Sequence, residues 1–217
     1  MVDESKFPSV IFSENLLEAI FPIINFIAFP KTIVPLYIFE PRYKRMVTDI
    51  SNSEDQKSLI LTNLDKKTNK PLDIGVYGEL ISQEYLSDGR SNIIVRCLQR
   101  VKIKEYFRPY TSEDYAIAEI IVYPESNLGF ENKSWYERFP NLLEVFKKHF
   151  LLKTGKNFKI NSPEIFQRLT AEETINAMCQ FSLLDISKKI DLLLKNDIFM
   201  RAVSLEKYLS DSFLSNN

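Results

Sequence analysis

Glycine is scarce, with five residues in 217: Gly75, Gly78, Gly89, Gly129 and Gly155. Loops that cradle phosphates need closely spaced glycines, so that backbone N–H groups can approach the ligand. Neither G-x-G nor GxxxxGK[ST] can be drawn here. Gly155-Lys156 comes nearest, but Phe150 stands five residues before Gly155 and Asn157 follows the lysine. P-loop nucleotide hydrolysis and the usual dinucleotide binding are therefore excluded. Histidine is scarcer still: His149 is the only one. A Ser-His-Asp or Cys-His site would have to use that one imidazole, and a zinc site could gather at most His149, Cys97, Cys179 and carboxylates. His149 lies in Phe146-Lys147-Lys148-His149-Phe150, near the end of an expected helix, where a partly exposed ring beside the negative helix terminus is the simplest expectation. The two cysteines form no CxxC pair and fit buried free thiols in a reducing compartment. No catalytic residue, metal ligand or cofactor site is expected.

Long hydrophobic runs and charge excess are also missing. The apolar stretch from Ile20 to Phe29 is only about ten residues long and is broken by Pro22 and Asn25, too short to span a bilayer. The N-terminal Met1-Val2-Asp3-Glu4-Ser5-Lys6 lacks the basic and apolar regions of a signal peptide, so a cytoplasmic protein with no membrane partner is expected. Residues 1–124 carry 15 basic and 17 acidic side chains, and residues 125–217 carry 13 and 12. Neither part would bind nucleic acid or an anionic membrane by charge alone.

What is present changes its hydrophobic period near residue 125. Before it, short β-rich runs are separated by turn residues: Ile23 to Phe29, Ile33 to Phe39, Ser58 to Leu64, Ile74 to Tyr85, Asn92 to Phe107 and Tyr115 to Tyr123. Arg100-Val101-Lys102-Ile103-Lys104 alternates basic and apolar residues, as a strand with one wet face does. Asp88-Gly89 is a strong hairpin signal between two runs. Strands at this spacing suggest a small antiparallel barrel. Pro41 opens one helix through Tyr43, Met46, Val47 and Ile50. Ser13 is positioned to cap a short helix containing Leu16, Leu17 and Ile20.

After Pro124 the period lengthens to that of helices. Trp135 to Phe150 places Phe139, Leu142, Leu143 and Phe146 at helical steps, with Pro140 kinking or restarting the helix. Ser162-Pro163-Glu164 reads as a helix start, and Thr170-Ala171-Glu172-Glu173 as a capping box that turns Ile175, Met178 and Cys179 inward. Asp185 and Asp197 start two further helices. The expected fold is α+β: a β barrel followed by a C-terminal bundle of about four helices. Its expected parts are an extension over 1–20, the barrel over 21–125 and the bundle over 126–217.

Pro35-Leu36-Tyr37-Ile38-Phe39-Glu40-Pro41-Arg42-Tyr43 is a near-complete match to the PL-x-IFEPRY signature of the N-terminal (LON or La) domain of ATP-dependent Lon proteases. The chain resembles the stand-alone bacterial proteins made of that domain. Ile74 to Ile81, Asp88-Gly89-Arg90 and Val95 to Ile103 resemble further family segments. The ending matches a K-x-x-LL-x-x-D-x-x-x-R tail at Lys189, Leu192, Leu193, Asn196 or Asp197, and Arg201. The likeness runs over about residues 21–209. It departs from the family where glycines are expected, at Lys31 and Cys97. A full Lon protease also carries an AAA+ module and a Ser-Lys proteolytic domain, and neither is expected in these 217 residues.

The resemblance implies a PUA-like antiparallel pseudo-barrel, no enzyme activity, and recognition of unfolded polypeptide. The expected surface is a groove between barrel and bundle, lined by Tyr37, Tyr77, Tyr85, Phe107 and Tyr110, since aromatics give a large contact area for little entropy cost. The signature residues Pro35, Leu36, Phe39, Glu40, Pro41, Arg42 and Tyr43 are expected to be mainly structural. Leu36, Ile38 and Phe39 would pack in the barrel, and Glu40 and Arg42 would hold the strand-to-helix corner, so Glu40→Ala would clearly lower the melting temperature. RNA is the rival partner, through Arg96, Arg100, Lys102, Lys104 and Arg108 with Tyr106 and Phe107 alongside. A dimerising scaffold using residues 1–20 is the third possibility, with the oligomeric state open.

Overall fold

A computed structural model describes residues 16–53, 57–65, 67–68, 70–107, 114–126, 138–157 and 169–214; the expectations at Ser13, Arg108, Tyr110, Trp135 and Ser162 fall outside them. Two compact units divide at Pro124/Glu125. The first holds strands β1 (Leu16–Ile23), β2 (Ile33–Ile38), β3 (Ser58–Asp65), β4 (Lys70–Tyr85), β5 (Ser91–Phe107) and β6 (Ala116–Val122), with helix α1 (Pro41–Asn52) between β2 and β3. The long strand β5 organises it. Its first half pairs with β2, from Ser91↔Ile38 to Arg96↔Ile33, and its second half pairs with β6, while β4 runs along its other side. The order β2-β5-β4-β3-β1-β6 then closes through β5–β6, so five strands form a ring and β2 flanks it. The ring is mixed, because β1 and β3 run parallel.

Close packing of the strands depends on two glycines. A Cβ at Gly78 would meet Val95 Cγ1 at 2.4 Å, and one at Gly75 would meet Ile60 Cγ2 and Leu61 O at 2.8 Å, so the sheet could not approach this closely with side chains there. Val101 and Ile103 turn inward and Lys102 and Lys104 outward, as the alternation requires. Arg100 does not follow the pattern. It shares a face with Lys102, with no register shift between them, yet it is fully buried because Tyr123 and Pro124 lie over it.

The N-terminal segment corrects two expectations. Leu16, Leu17 and Ile20 belong to strand β1 and not to a helix, and the strand expected over 23–29 lies earlier, at Leu16–Ile23, running through the boundary expected at 20/21. Helical spacing of the leucines is overridden by burial on both faces: Glu18, Ala19, Ile20 and Phe21 are buried in succession between β3 and β6. The chain then turns at Asn25, whose φ is 57°, and Asn63 Oδ1 accepts from Phe26 N–H at 3.3 Å.

The second unit contains α2 (Leu142–Thr154), α3 (Ala171–Phe181), α4 (Ile186–Leu194) and α5 (Ile198–Leu214). Helix α2 begins just after Pro140 and ends at Gly155, whose φ of 67° suits glycine. The capping box of α3 is formed as expected: Glu173 N–H donates to Thr170 Oγ1 at 3.2 Å, and Thr170 N–H donates to Glu173 Oε2 at 2.7 Å. Ile175, Met178 and Cys179 are buried. Asp197 caps α5 by accepting from Met200 N–H at 2.9 Å, whereas Asp185 occupies the cap position of α4 without a side-chain cap bond. His149 corrects its expectation: it is 1% exposed, because α2 packs that face against α5.

Candidate functional site

Between the end of β1 and the corner that joins β2 to α1, the β unit opens a cleft of about 610 Å³. The signature stretch forms one wall, with Leu36, Tyr37, Phe39, Glu40, Arg42 and Tyr43 lining it. Phe21 and Ile24 from β1 and the following turn, and Tyr106 from β5, complete it. Val34 and Ile38 face inward and are buried, while Tyr37 is turned to the opposite side. Phe39 was expected in the barrel, but it lies one residue past the strand, beside Tyr37 with ring centroids 6.0 Å apart, and is 57% exposed. Tyr37 is 45% exposed and Ile24 53%. Deeper in, Tyr43 packs on Phe21 at 4.3 Å between centroids, and the Arg42 guanidinium lies 4.7 Å over the Tyr43 ring.

The charges at the rim neutralise one another. Arg42 Nε and Nη2 donate to Glu40 Oε2 at 3.0 and 2.7 Å, so the corner pair satisfies itself and leaves no side-chain cap on α1. Arg45 pairs with Asp114 at 2.5 Å. Burial raises the Tyr43 phenol above its usual range; Arg42 opposes that shift, and Glu40 and Tyr106 add to it, so the hydroxyl stays protonated at neutral pH. Apolar walls with a self-paired ionic rim can hold apolar side chains. They supply neither a nucleophile with a base nor a set of metal ligands, and no group of three or more His, Cys, Asp or Glu arranged for a metal exists among the described residues.

Among the other expected aromatics, the described Tyr77, Tyr85 and Phe107 do not line this cleft. Tyr77 is 8% exposed within the barrel core, beside Ile20, Ile60, Leu98 and Val101, and hydrogen-bonds with Ser58, which donates to the buried Glu18 at 2.9 Å. It is therefore a core residue, not a contact surface. Tyr85 and Phe107 are exposed at the ends of β4 and β5. Phe21 and Ile24 were not expected here, and Tyr106 was expected beside the basic stripe instead; the Pro22 and Asn25 interruptions of an otherwise apolar run were the signal that Ile24 sits on a turn.

No catalytic arrangement appears elsewhere among the described residues. His149 Nδ1 and Ser212 Oγ are 2.8 Å apart, but the serine hydroxyl donates to Leu209 O at 2.5 Å, the wrong direction for a base activating a nucleophile. Cys97 and Cys179 are free and buried, and burial pushes both thiols up to about 12. The basic stripe on β5 is engaged internally. Arg100 lies 4.3 Å over the Tyr123 ring and donates to Pro124 O at 3.0 Å, Lys102 lies 4.3 Å over the same ring, Arg96 pairs with Glu79 and Lys104 with Glu119.

The sequence model of the ATP-dependent protease La (LON) substrate-binding domain matches residues 19–211, nearly the whole chain. The chain belongs to this family. Lon protease of Orientia tsutsugamushi (strain Ikeda) is 22% identical over 210 residues, 92% of this chain and 25% of the relative. Lon protease of Buchnera aphidicola subsp. Acyrthosiphon pisum is 23% identical over 186 residues, 80% of this chain and 23% of the relative. The chain thus spans about a quarter of the length of these proteases. Among solved structures, the N-terminal domain of Mycobacterium avium complex Lon protease superposes with a TM-score of 0.65 at 18% identity, covering 90% of this chain and 99% of that domain. A Lon N-terminal domain protein from Xanthomonas campestris gives 0.65 at 16% identity, covering 89% and 98%. The fold is that of Lon N-terminal domains.

Within this LON domain, the two positions that depart from expected family glycines are hydrogen-bonded neighbours. Lys31 N–H donates to Cys97 O at 2.8 Å, and Cys97 N–H donates to Thr32 O at 2.8 Å. Lys31 holds φ at 60°, the left-handed region that favours glycine. The tail pattern also has a structural basis. Arg201 is fully buried and binds Glu125 through two bonds of 2.9 Å, Asn176 Oδ1 at 2.5 Å, Leu192 O at 2.9 Å and Lys195 O, which ties α3, α4 and α5 together.

Proposed function

We propose that this LON domain is a non-catalytic, polypeptide-binding module of the cytoplasm, and that the aromatic cleft beside the β2–α1 corner receives apolar side chains of an unfolded segment. The observation that carries this is the exposure of Phe39, Ile24 and Tyr37 together in one cleft. Burying a large apolar side chain gains about 1.5–3 kcal/mol, so three left in water around one concavity suit a surface that a partner covers. The family, described as a substrate-binding domain, supports polypeptide as the partner class.

Strand addition is a poor mode for this partner. In the sheet order β2 stands last, and Pro35 at its middle removes one backbone donor from the free edge. Recognition through side chains in the cleft tolerates many sequences, as an unfolded client requires. The test is a fluorescence-anisotropy titration with a labelled protein kept unfolded by reduction and carboxymethylation, alongside the same protein in its native form. Saturable binding of the unfolded form alone is expected. Absence of binding at high micromolar concentration refutes the proposal.

A further inference from the structure

The chain's one histidine is buried in the helical unit, where the proposed binding does not use it. Its surroundings fix its protonation chemistry. Ser212 has a single hydroxyl hydrogen, directed to Leu209 O at 2.5 Å, so Ser212 Oγ accepts from the ring at 2.8 Å and the network assigns the proton to Nδ1. Nε2 is then a bare acceptor, buried and without a hydrogen-bond partner among the described residues. Among the described residues, the charged groups acting on the ring are Lys153, one turn further along α2, and Lys188 on α4, both cationic. Ser212 lies on α5, so the bond links α2 to the last turn of the final described helix.

An imidazolium at this place would carry a second N–H with no acceptor among the described residues, inside packed helices and under the influence of two ammonium groups. A buried unsatisfied donor and like charge both oppose that state. We propose that protonation of His149 releases the last turn of α5 from α2, so that the helical unit carries an acid-sensitive latch, closed at neutral pH and opening on mild acidification. Burial first, then Lys153 and Lys188, hold the imidazole below its ordinary 6.5. The sign follows: above 6.5 the ring is neutral both folded and unfolded and costs nothing. As pH falls below 6.5 the unfolded form takes up the proton first, and stability is lost until the folded pKa is reached.

A single histidine gives one imidazole Hε1 resonance, whose residue needs no assignment. In the full chain, proton NMR is expected to show that resonance titrating below 6.5, with amide protection in the last turn of α5 falling over the same range after correction for intrinsic exchange. His149→Asn keeps a donor for Ser212 but cannot titrate. Between about pH 7.5 and about pH 5.5 the melting temperature of the wild type is expected to fall and that of the variant to fall by less than half as much. Titration at or above 6.5, α5 protection that does not change with pH, or equal falls in both proteins would overturn the proposal. Should His149→Asn fail to fold, the titration and exchange of the wild type decide alone.

Discussion

Arg201 carries more of the helical unit than any other single side chain described. It is fully buried, and its partners lie on α3, on α4, in the α4–α5 connection and at Glu125, so truncation leaves a buried carboxylate and several carbonyls without their donor. Breaking one side of a buried pair costs about 3–5 kcal/mol. Arg201→Ala is expected to lose that much in urea denaturation followed by helical circular dichroism; a loss under about 1 kcal/mol would contradict this role. Lys31 works the other way. A non-glycine residue at its φ of 60° pays about 1 kcal/mol, so Lys31→Gly is expected to stabilise the chain by up to that amount. Glu40 departs from its sequence expectation. Its pair with Arg42 is about two-fifths exposed on each side, so Glu40→Ala is expected to change stability by no more than about 1 kcal/mol instead of lowering the melt clearly. Both thiols are buried with their pKa near 12, and neither cysteine is expected to react with iodoacetamide at neutral pH until the chain unfolds.

At the scale of elements, local signals were legible wherever local chemistry decides the outcome. The Pro41 helix start, the Asp88-Gly89 hairpin and the Thr170–Glu173 capping box each use partners within a few residues, and each is found where the sequence places it. Thr170→Ala removes the capping bond of α3 and is expected to cost about 1 kcal/mol, read as a lower melting temperature of the helical signal. Elements whose state depends on distant partners were not legible. Strand β1 has the leucine spacing of a helix and becomes a strand only because β3 and β6, 40 and more residues away in sequence, pair with both its edges. Arg100 follows the alternation of a wet strand, yet Tyr123 and Pro124, just past β6, cover it. His149 was placed correctly on a helix near its end, but its burial depends on α5, which follows some fifty residues later. The cleft shows the same division: the signature wall was recognisable as a motif, while Phe21, Ile24 and Tyr106 join it only through the closed ring.

Across the whole molecule, two separate acid responses are expected. The first, on mild acidification, belongs to His149 and hence to the helical unit. The second comes from carboxylates held below their ordinary values, among them Asp88 near 2 through its hydrogen bonds to Arg90, and Asp65 through the Lys67 amide. Their contribution is present above the unfolded value of 3.8 and is lost as pH falls below it. Neither response touches the cleft, whose rim charges cancel in pairs and whose walls are apolar. Binding there should therefore change little with salt, unlike binding to nucleic acid, which weakens steeply. The most direct measurement is the anisotropy titration repeated with Phe39→Ser and Ile24→Ser combined, two exposed positions whose change leaves the core intact. The expected result is an unaltered thermal melt with affinity for unfolded polypeptide weakened about tenfold or more, which is about 1.4 kcal/mol of lost apolar contact. Equal affinity in the variant and the wild type, with both folded, would contradict the assignment of the cleft as the binding site.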